Sequence, residues 1–319
     1  MIDGRLSDHA WQQARWTENF VDIEGDAKPR PRFTTRAKMI WDDSCLYIGA
    51  ELEEPHVWAT LTQRDTVIFY NNDFEIFIDP DGDNLEYYEF EMNALNTVWD
   101  LFLARPYRDG GPPRDSWNIA GLRTAVHVKG TLNDPADTDT GWTVEIAFPW
   151  SALAEYAHRP SPPVIGDTWR INFSRVEWRH ELVGGTYQRV PGTKEDNWVW
   201  SPQGVIDMHQ PEMWGYLQFA GPHGRQSDYK PDLSRKAKDV LCTIYHAEKA
   251  YARKNGRWAP NLETLGLTKL SPTGLAEPPA LSLTKTGFLA TATALLPHGR
   301  RSTWFIREDS KLWEEIPRK

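Results

Sequence analysis

Cysteine is nearly absent from this 319-residue chain, with only Cys45 and Cys242 present. They form no Cys-x-x-Cys pair, which excludes a thiolate zinc site. One disulfide between them is conceivable, but two unrelated buried thiols are the expectation. Long apolar runs are missing too: nothing approaches the roughly 18 residues that a membrane-spanning helix needs. His9, His56, His127, His180 and His209 share no metal-ligand spacing. A Gly-rich phosphate loop and a Gly-x-Ser-x-Gly elbow are both lacking. Met1 is followed at once by Ile-Asp-Gly-Arg, without an export signal. Such a start is what removal of a signal leaves, so a secreted, periplasmic or cell-surface location is expected.

Positive charge is scarce in the first part. Residues 1–225 carry 20 Lys+Arg against 35 Asp+Glu, whereas residues 226–319 carry 16 against 10. The acidic first part lacks the basic footprint that nucleic acid requires. The change of sign also suggests a domain boundary near residue 225.

Tryptophan is abundant instead. There are 16, and 13 of them precede residue 220. Single tryptophans in β-proteins are mostly core residues. Thirteen exceed what one sandwich core needs, so a few are expected to be exposed. An exposed indole covers the C–H face of a pyranose, while carboxylates and arginine bond its hydroxyls.

Before residue 230 helical periodicity is almost absent. AKMIWDDSCLYIGAEL (37–52) alternates around an Asp-Asp-Ser turn, a hairpin pattern. In DFEIFID (73–79), Phe74, Ile76 and Ile78 face one way and Asp73, Glu75, Phe77 and Asp79 the other. YYEFEMN (87–93) puts Glu89 and Glu91 on one face. TVWDLFLA (97–104), TAVHVKG (124–130), WTVEIAFPW (142–150), WRINFSRVEW (169–178) and WGYLQF (214–219) complete the set. Many short strands joined by Gly/Pro/Asp turns predict a mainly β, jelly-roll-like antiparallel sandwich over residues 1–222. Residues 223–231 read as a linker. Residues 232–319 predict a small α+β domain: one long amphipathic helix carrying Ala237, Val240, Leu241, Ile244, Tyr245 and Tyr251, then a short antiparallel sheet.

The succession IDGRLSDHAWQQA, AKMIWDDSCLYIGAELEEP, NNDFEIFIDPDGD, YYEFEMNALNTVWDL, GWTVEIAFPWSAL, WRINFSRVE and WSPQG…HQPEMWGYLQF resembles carbohydrate-binding module family 9 over residues 2–219. The resemblance implies a sugar-binding antiparallel sandwich, with bound calcium in some members. Family members hold a terminal sugar between two tryptophans. The first position falls on Phe69-Tyr70 here, and the second on the loop Asp207–Gln210, which offers His209 and no aromatic ring. The family's strand glutamate matches Glu75, and an arginine of its next strand falls on Glu91. The two-tryptophan clamp is thus absent and one charge is inverted. LCTIYHAEKAYARKNGRWAPNLETLGL with TKTGFLATATAL and STWFIREDSKLW is similar to the soluble part of pilin-like proteins. This reads as an accessory domain.

The acidic residues Glu75, Glu89, Glu91 and Asp100 are open to three readings. They contact a glycan, or they form a solvated face, or they supply an acid/base pair of a hydrolase or lyase, which needs carboxyls roughly 5–9.5 Å apart across a cleft. Arg175, Glu177 and Trp178 form a second candidate contact, against an intramolecular ion pair. Trp99 and Trp117 are the remaining stacking candidates, Trp117 in the loop RPYRDGGPPRDSW. Asp79, Asp81 and Asp83 offer oxygen donors at alternate positions, which suits calcium or a plain turn. Carbohydrate binding without catalysis is the leading expectation. A polysaccharide-degrading enzyme and an assembly or adhesion module are the alternatives.

Overall fold

The computed structural model describes residues 1–221, 229–270 and 273–315. Residues 223–228 of the expected linker lie outside the described residues. The chain forms two compact units. The first comprises Met1–Asp81, Glu86–Ala104 and Pro112–Phe219. The second runs from Ala220 onward and also takes in Gly82–Leu85 and Arg105–Gly111. Charge sign along the chain gives no hint of these two short insertions.

After a short helix, α1 (His9–Gln13), the first unit carries β1 (Val21–Asp22), β2 (Thr35–Trp41), β3 (Cys45–Glu53), β4 (Asp73–Asp79), β5 (Tyr87–Asn93), β6 (Val98–Leu103) and β7 (Pro113–Arg114). Next come β8 (Arg123–Lys129), β9 (Gly141–Pro149), the helical turn α2 (Trp150–Leu153) and β10 (Thr168–Glu177). The strands β11 (His180–Val183), β12 (Thr186–Arg189), β13 (Asp196–Val199) and β14 (Gly215–Gln218) end the unit. One sheet has the order β2-β3-β9-β8. The larger has the order β1-β13-β10-β4-β5-β6-β7, with β14 also paired to β10. The ladders within both sheets are antiparallel, so the expected sandwich class is observed.

Local chemistry explains the first hairpin. Asp42 Oδ1 accepts hydrogen bonds from the Ser44 and Cys45 amides at 2.8 and 3.0 Å, which closes the turn between β2 and β3. Leu46, Ile48, Val144 and Ile146 of one sheet then pack with Phe74, Ile76, Phe90, Ile171 and Phe173 of the other. Burying a side chain of this size stabilises by about 1.5–3 kcal/mol. Cys45 lies buried in this unit as a free thiol.

The opposite face of the larger sheet is covered as well. Phe77, Tyr87, Leu101 and Leu103 pack there with Val199, Met208 and Trp214. All seven residues of β4 and all seven of β5 are therefore buried. The expectation of a few exposed tryptophans fails: none of the sixteen is among the exposed large side chains.

In the second unit, α3 (Arg235–Asn255) buries Ala237, Val240, Leu241, Ile244 and Tyr245, as its periodicity predicts. Gly256 stops it at φ 66°, a left-handed conformation that glycine adopts without steric cost. The helix packs on a four-stranded sheet of β15 (Ala280–Leu283), β16 (Phe288–Leu295), β17 (Arg301–Arg307) and β18 (Leu312–Glu314).

Candidate functional site

Strand alternation sends Asp73 and Glu75 of β4, and Glu89 and Glu91 of β5, to the outer face of the larger sheet. Glu75 lies directly across from Glu91 in the ladder. Asp73, Glu75 and Glu91 each place a carboxylate oxygen within 4.8 Å of the others. The Val176 amide donates to Asp73 Oδ1 at 3.1 Å, and the Phe69 amide donates to Glu91 Oε2 at 3.0 Å. The four side chains are 0–5% exposed, so the solvated-face reading is corrected. Burial, followed by mutual repulsion, raises the pKa values of Asp73, Glu89 and Glu91 well above the carboxylate range. Burial raises Glu75 in the same direction.

Aromatic groups border this floor. Trp99 faces Glu91 across the β5–β6 ladder. The Trp178 indole N–H donates to the Phe69 carbonyl at 2.8 Å, which ties the end of β10 to the 3-10 turn Ile68–Tyr70. Phe69 and Tyr70 have ring centroids 4.8 Å apart, and Tyr70 is 48% exposed. Arg189 of the β11–β12 hairpin lies over both Trp178 and Tyr70, at 4.5 and 5.1 Å from the ring centroids. On the other side, His209 pairs with the Tyr87 hydroxyl at 2.9 Å and approaches Glu89 at 3.9 Å. The closing loop thus brings a histidine to the floor.

Other expected site residues lie elsewhere. Asp100 faces the opposite side of its sheet, across the ladder from Phe90. It is fully buried, paired with Arg64, and accepts the Ile119 amide at 2.5 Å. It is therefore no part of the acidic face. Arg175 and Glu177 are not surface contacts but interior groups, 0% and 1% exposed. Arg175 donates to Glu54 and Glu177 at 2.9 and 2.8 Å. Their strand parity follows Trp169, Ile171 and Phe173, which are core residues, so an interior pair fits the alternation. Trp117 stacks on Tyr88 at 5.0 Å and donates to Glu155 at 2.8 Å, at the edge of the inner core. Arg108 and Asp109 belong to the second unit, where Asp109 accepts from the Tyr245 hydroxyl and Lys249 Nζ, both at 2.7 Å. Asp79 is buried at the end of β4, and the boundary between the units passes between Asp81 and Asp83.

Asp73, Glu54 and Arg189 are missing from the residues that sequence reasoning singled out as a site. For Asp73 the signal was present, since it shares the parity of Glu75. No local pattern announces Arg189, because a hairpin carries it to Tyr70.

The family described as "Carbohydrate family 9 binding domain-like" matches residues 2–172. Exoglucanase XynX of Acetivibrio thermocellus is 27% identical over 154 residues, which is 48% of this chain and 12% of that protein. Endo-1,4-beta-xylanase A of Thermoanaerobacterium saccharolyticum is 25% identical over 153 residues, again 48% of this chain and 11% of that protein. The chain thus spans a small fraction of either relative. A solved carbohydrate binding module family 9 from Caldicellulosiruptor kristjanssonii, in complex with cellotriose, is 17% identical. That likeness covers 73% of this chain and 94% of the other, with a TM-score of 0.45.

Proposed function

Because the chain belongs to the carbohydrate family 9 binding domain-like family, we propose that its first unit binds a poly- or oligosaccharide without cleaving it, at the Tyr70 rim of the acidic face. The observation that carries this placement is the exposed Tyr70 ring, flanked by Arg189 and joined through Phe69 to Glu91. A tyrosine ring offers an apolar plane for a pyranose face, and an arginine fork offers donors for its hydroxyls. Burial argues against catalysis more than spacing does. Glu75, Glu89 and Glu91 are 2–5% exposed, and Asp100 faces the other way. A glycosidase needs two carboxyls reaching across an open cleft.

The same membership supports an exported location. Among the described residues no helix is long and apolar enough to cross a membrane. The second unit reads as an accessory domain, its helix on a sheet being compatible with the pilin-like resemblance.

Glycan-array screening followed by calorimetry tests the placement. Tyr70→Ala should weaken binding about three- to tenfold, the range expected when one ring contact is lost. Full affinity in a Tyr70→Ala/Arg189→Ala double variant would overturn it. Release of soluble sugar from a polysaccharide panel would favour the enzyme alternative.

A further inference from the structure

The second unit holds a cavity of about 440 Å³, within the size range of small-ligand sites. Its lining residues all fall between Tyr251 and Gly287, so it belongs to that unit alone. Two local turns build it. Gly256 stops α3 in the left-handed region, and Arg257 and Trp258 follow at once. The Trp258 ring is pinned edge-on to Phe288 of β16, with ring centroids 5.2 Å apart. The other turn joins β15 to β16. There the Thr284 amide donates to the Gly287 carbonyl and the Gly287 amide donates to Thr284 Oγ1, both at 2.9 Å. This closes the turn that brings Lys285 to the cavity.

The lining carries charge of one sign. Arg257 and Lys285 contribute to it, and no Asp or Glu does. Among the described residues neither cation forms an ion pair, unlike Arg36, Arg175 and Arg307. The Trp258 indole N–H and the Tyr251 hydroxyl have no hydrogen-bond partner among them either. Leu283 stays 52% exposed in the same lining. Glu308 accepts from the Thr286 hydroxyl at 3.0 Å but lies outside the lining. An unpaired arginine fork matches a carboxylate with two parallel hydrogen bonds, and an indole beside it covers an apolar ring face. A ring that bears a carboxylate meets both. The distribution of charge points the same way: residues 226–319 carry 16 Lys+Arg against 10 Asp+Glu, and residues 1–225 carry 20 against 35. A polyanion is attracted by the first of these segments and repelled by the second.

We propose that this cavity binds an acidic saccharide, with a uronate carboxylate on Arg257 and Lys285 and a sugar face on Trp258. It is a second ligand site, in a different unit from the Tyr70 rim. The choice of a sugar rests on the carbohydrate reading given above; the choice of an acidic one rests on the cavity.

The test is calorimetry on the full chain with two tetrasaccharides of the same ring type, tetragalacturonate and neutral galactotetraose. Arg257→Gln and Lys285→Gln change exposed side chains that hold no other described residue, so the fold is kept. Each should weaken tetragalacturonate binding about tenfold, the loss expected for one charged hydrogen bond. Galactotetraose should bind the parent at least about tenfold more weakly than tetragalacturonate does, for the same reason. The Tyr70→Ala/Arg189→Ala double variant should keep its affinity for tetragalacturonate. A chain that binds tetragalacturonate through Arg257 but no neutral glycan at Tyr70 keeps this site and loses the other; the converse result does the opposite. No binding at about 10 mM tetragalacturonate, full affinity in an Arg257→Gln/Lys285→Gln variant, or equal affinity for galactotetraose overturns the proposal. So does equal competition by inorganic phosphate or a thymidine tetranucleotide, which would make the cavity a general anion site.

Discussion

Arg175 and Glu54 meet at 2.9 Å in the interior of the first unit, with side chains 0% and 1% exposed. Glu177 binds the same guanidinium at 2.8 Å, and the group also donates to Thr35 Oγ1 and the Glu53 carbonyl. Removing one member of such a buried set leaves uncompensated charge. Arg175→Ala should therefore cost about 3–5 kcal/mol in urea unfolding. Arg175→Met combined with Glu54→Gln and Glu177→Gln should recover much of the loss. A single variant as stable as the parent would show that these groups are not jointly buried in solution.

Gly215 opens β14 directly against Trp200. A Cβ there would lie 2.4 Å from ring atom Cζ3, closer than any van der Waals contact. Gly215→Ala should destabilise by about 1–3 kcal/mol, the usual range for overpacking. A smaller ring partner, Trp200→Leu, should make the alanine tolerable. The denaturant midpoints of the single and double variants provide the measurement.

Asp100 and Glu91 pose a contrast between two faces of one sheet. Asp100→Asn removes the charge that accepts the Ile119 amide and pairs with Arg64. Stability should fall by about 1.5–3 kcal/mol, while glycan affinity stays within twofold. A large affinity loss at unchanged stability would place Asp100 in the sugar site after all.

Glu248 of the second unit is fully buried; its Oε2 accepts the Ala259 amide at 2.9 Å, and among the described residues its Oε1 has no hydrogen-bond partner. Burial raises its pKa. The folded state then holds the proton more tightly than the unfolded chain does. Its contribution is full below the ordinary glutamate value, about 4.3, and is lost as pH rises through the raised one. Glu248→Gln should flatten the decline in stability from pH 4.5 upward. An unchanged pH slope in denaturant melts would exclude Glu248 as its source.

Much of the fold was legible because strand faces follow a period of two and helix faces a period of 3.6. Phe74, Ile76 and Ile78 announced the inner face of β4; Ala237, Val240, Leu241 and Ile244 announced the buried stripe of α3. The shared face of Glu75, Glu89 and Glu91 followed from the same parity. Asp100 was misplaced because its strand register, set by Phe90 opposite, is a pairing between chain segments and not a local pattern. Parity likewise put Arg175 with core residues, and Glu177 shares its face, but the approach of Glu54, far away in sequence, is a further partner that no local pattern announces.

The sequence alone determined the family and which residues share a strand face. Those properties depend on local periodicity and on the order of motifs. Tertiary structure decided what covers each face. The segment holding Met208, His209 and Trp214 closes over Phe77 and Tyr87, and the β11–β12 hairpin carries Arg189 to Tyr70. Burial depends on neighbours remote in the chain, which is why an acidic stripe that the sequence left open to three readings became a dry floor, and why the exposed ring is a tyrosine.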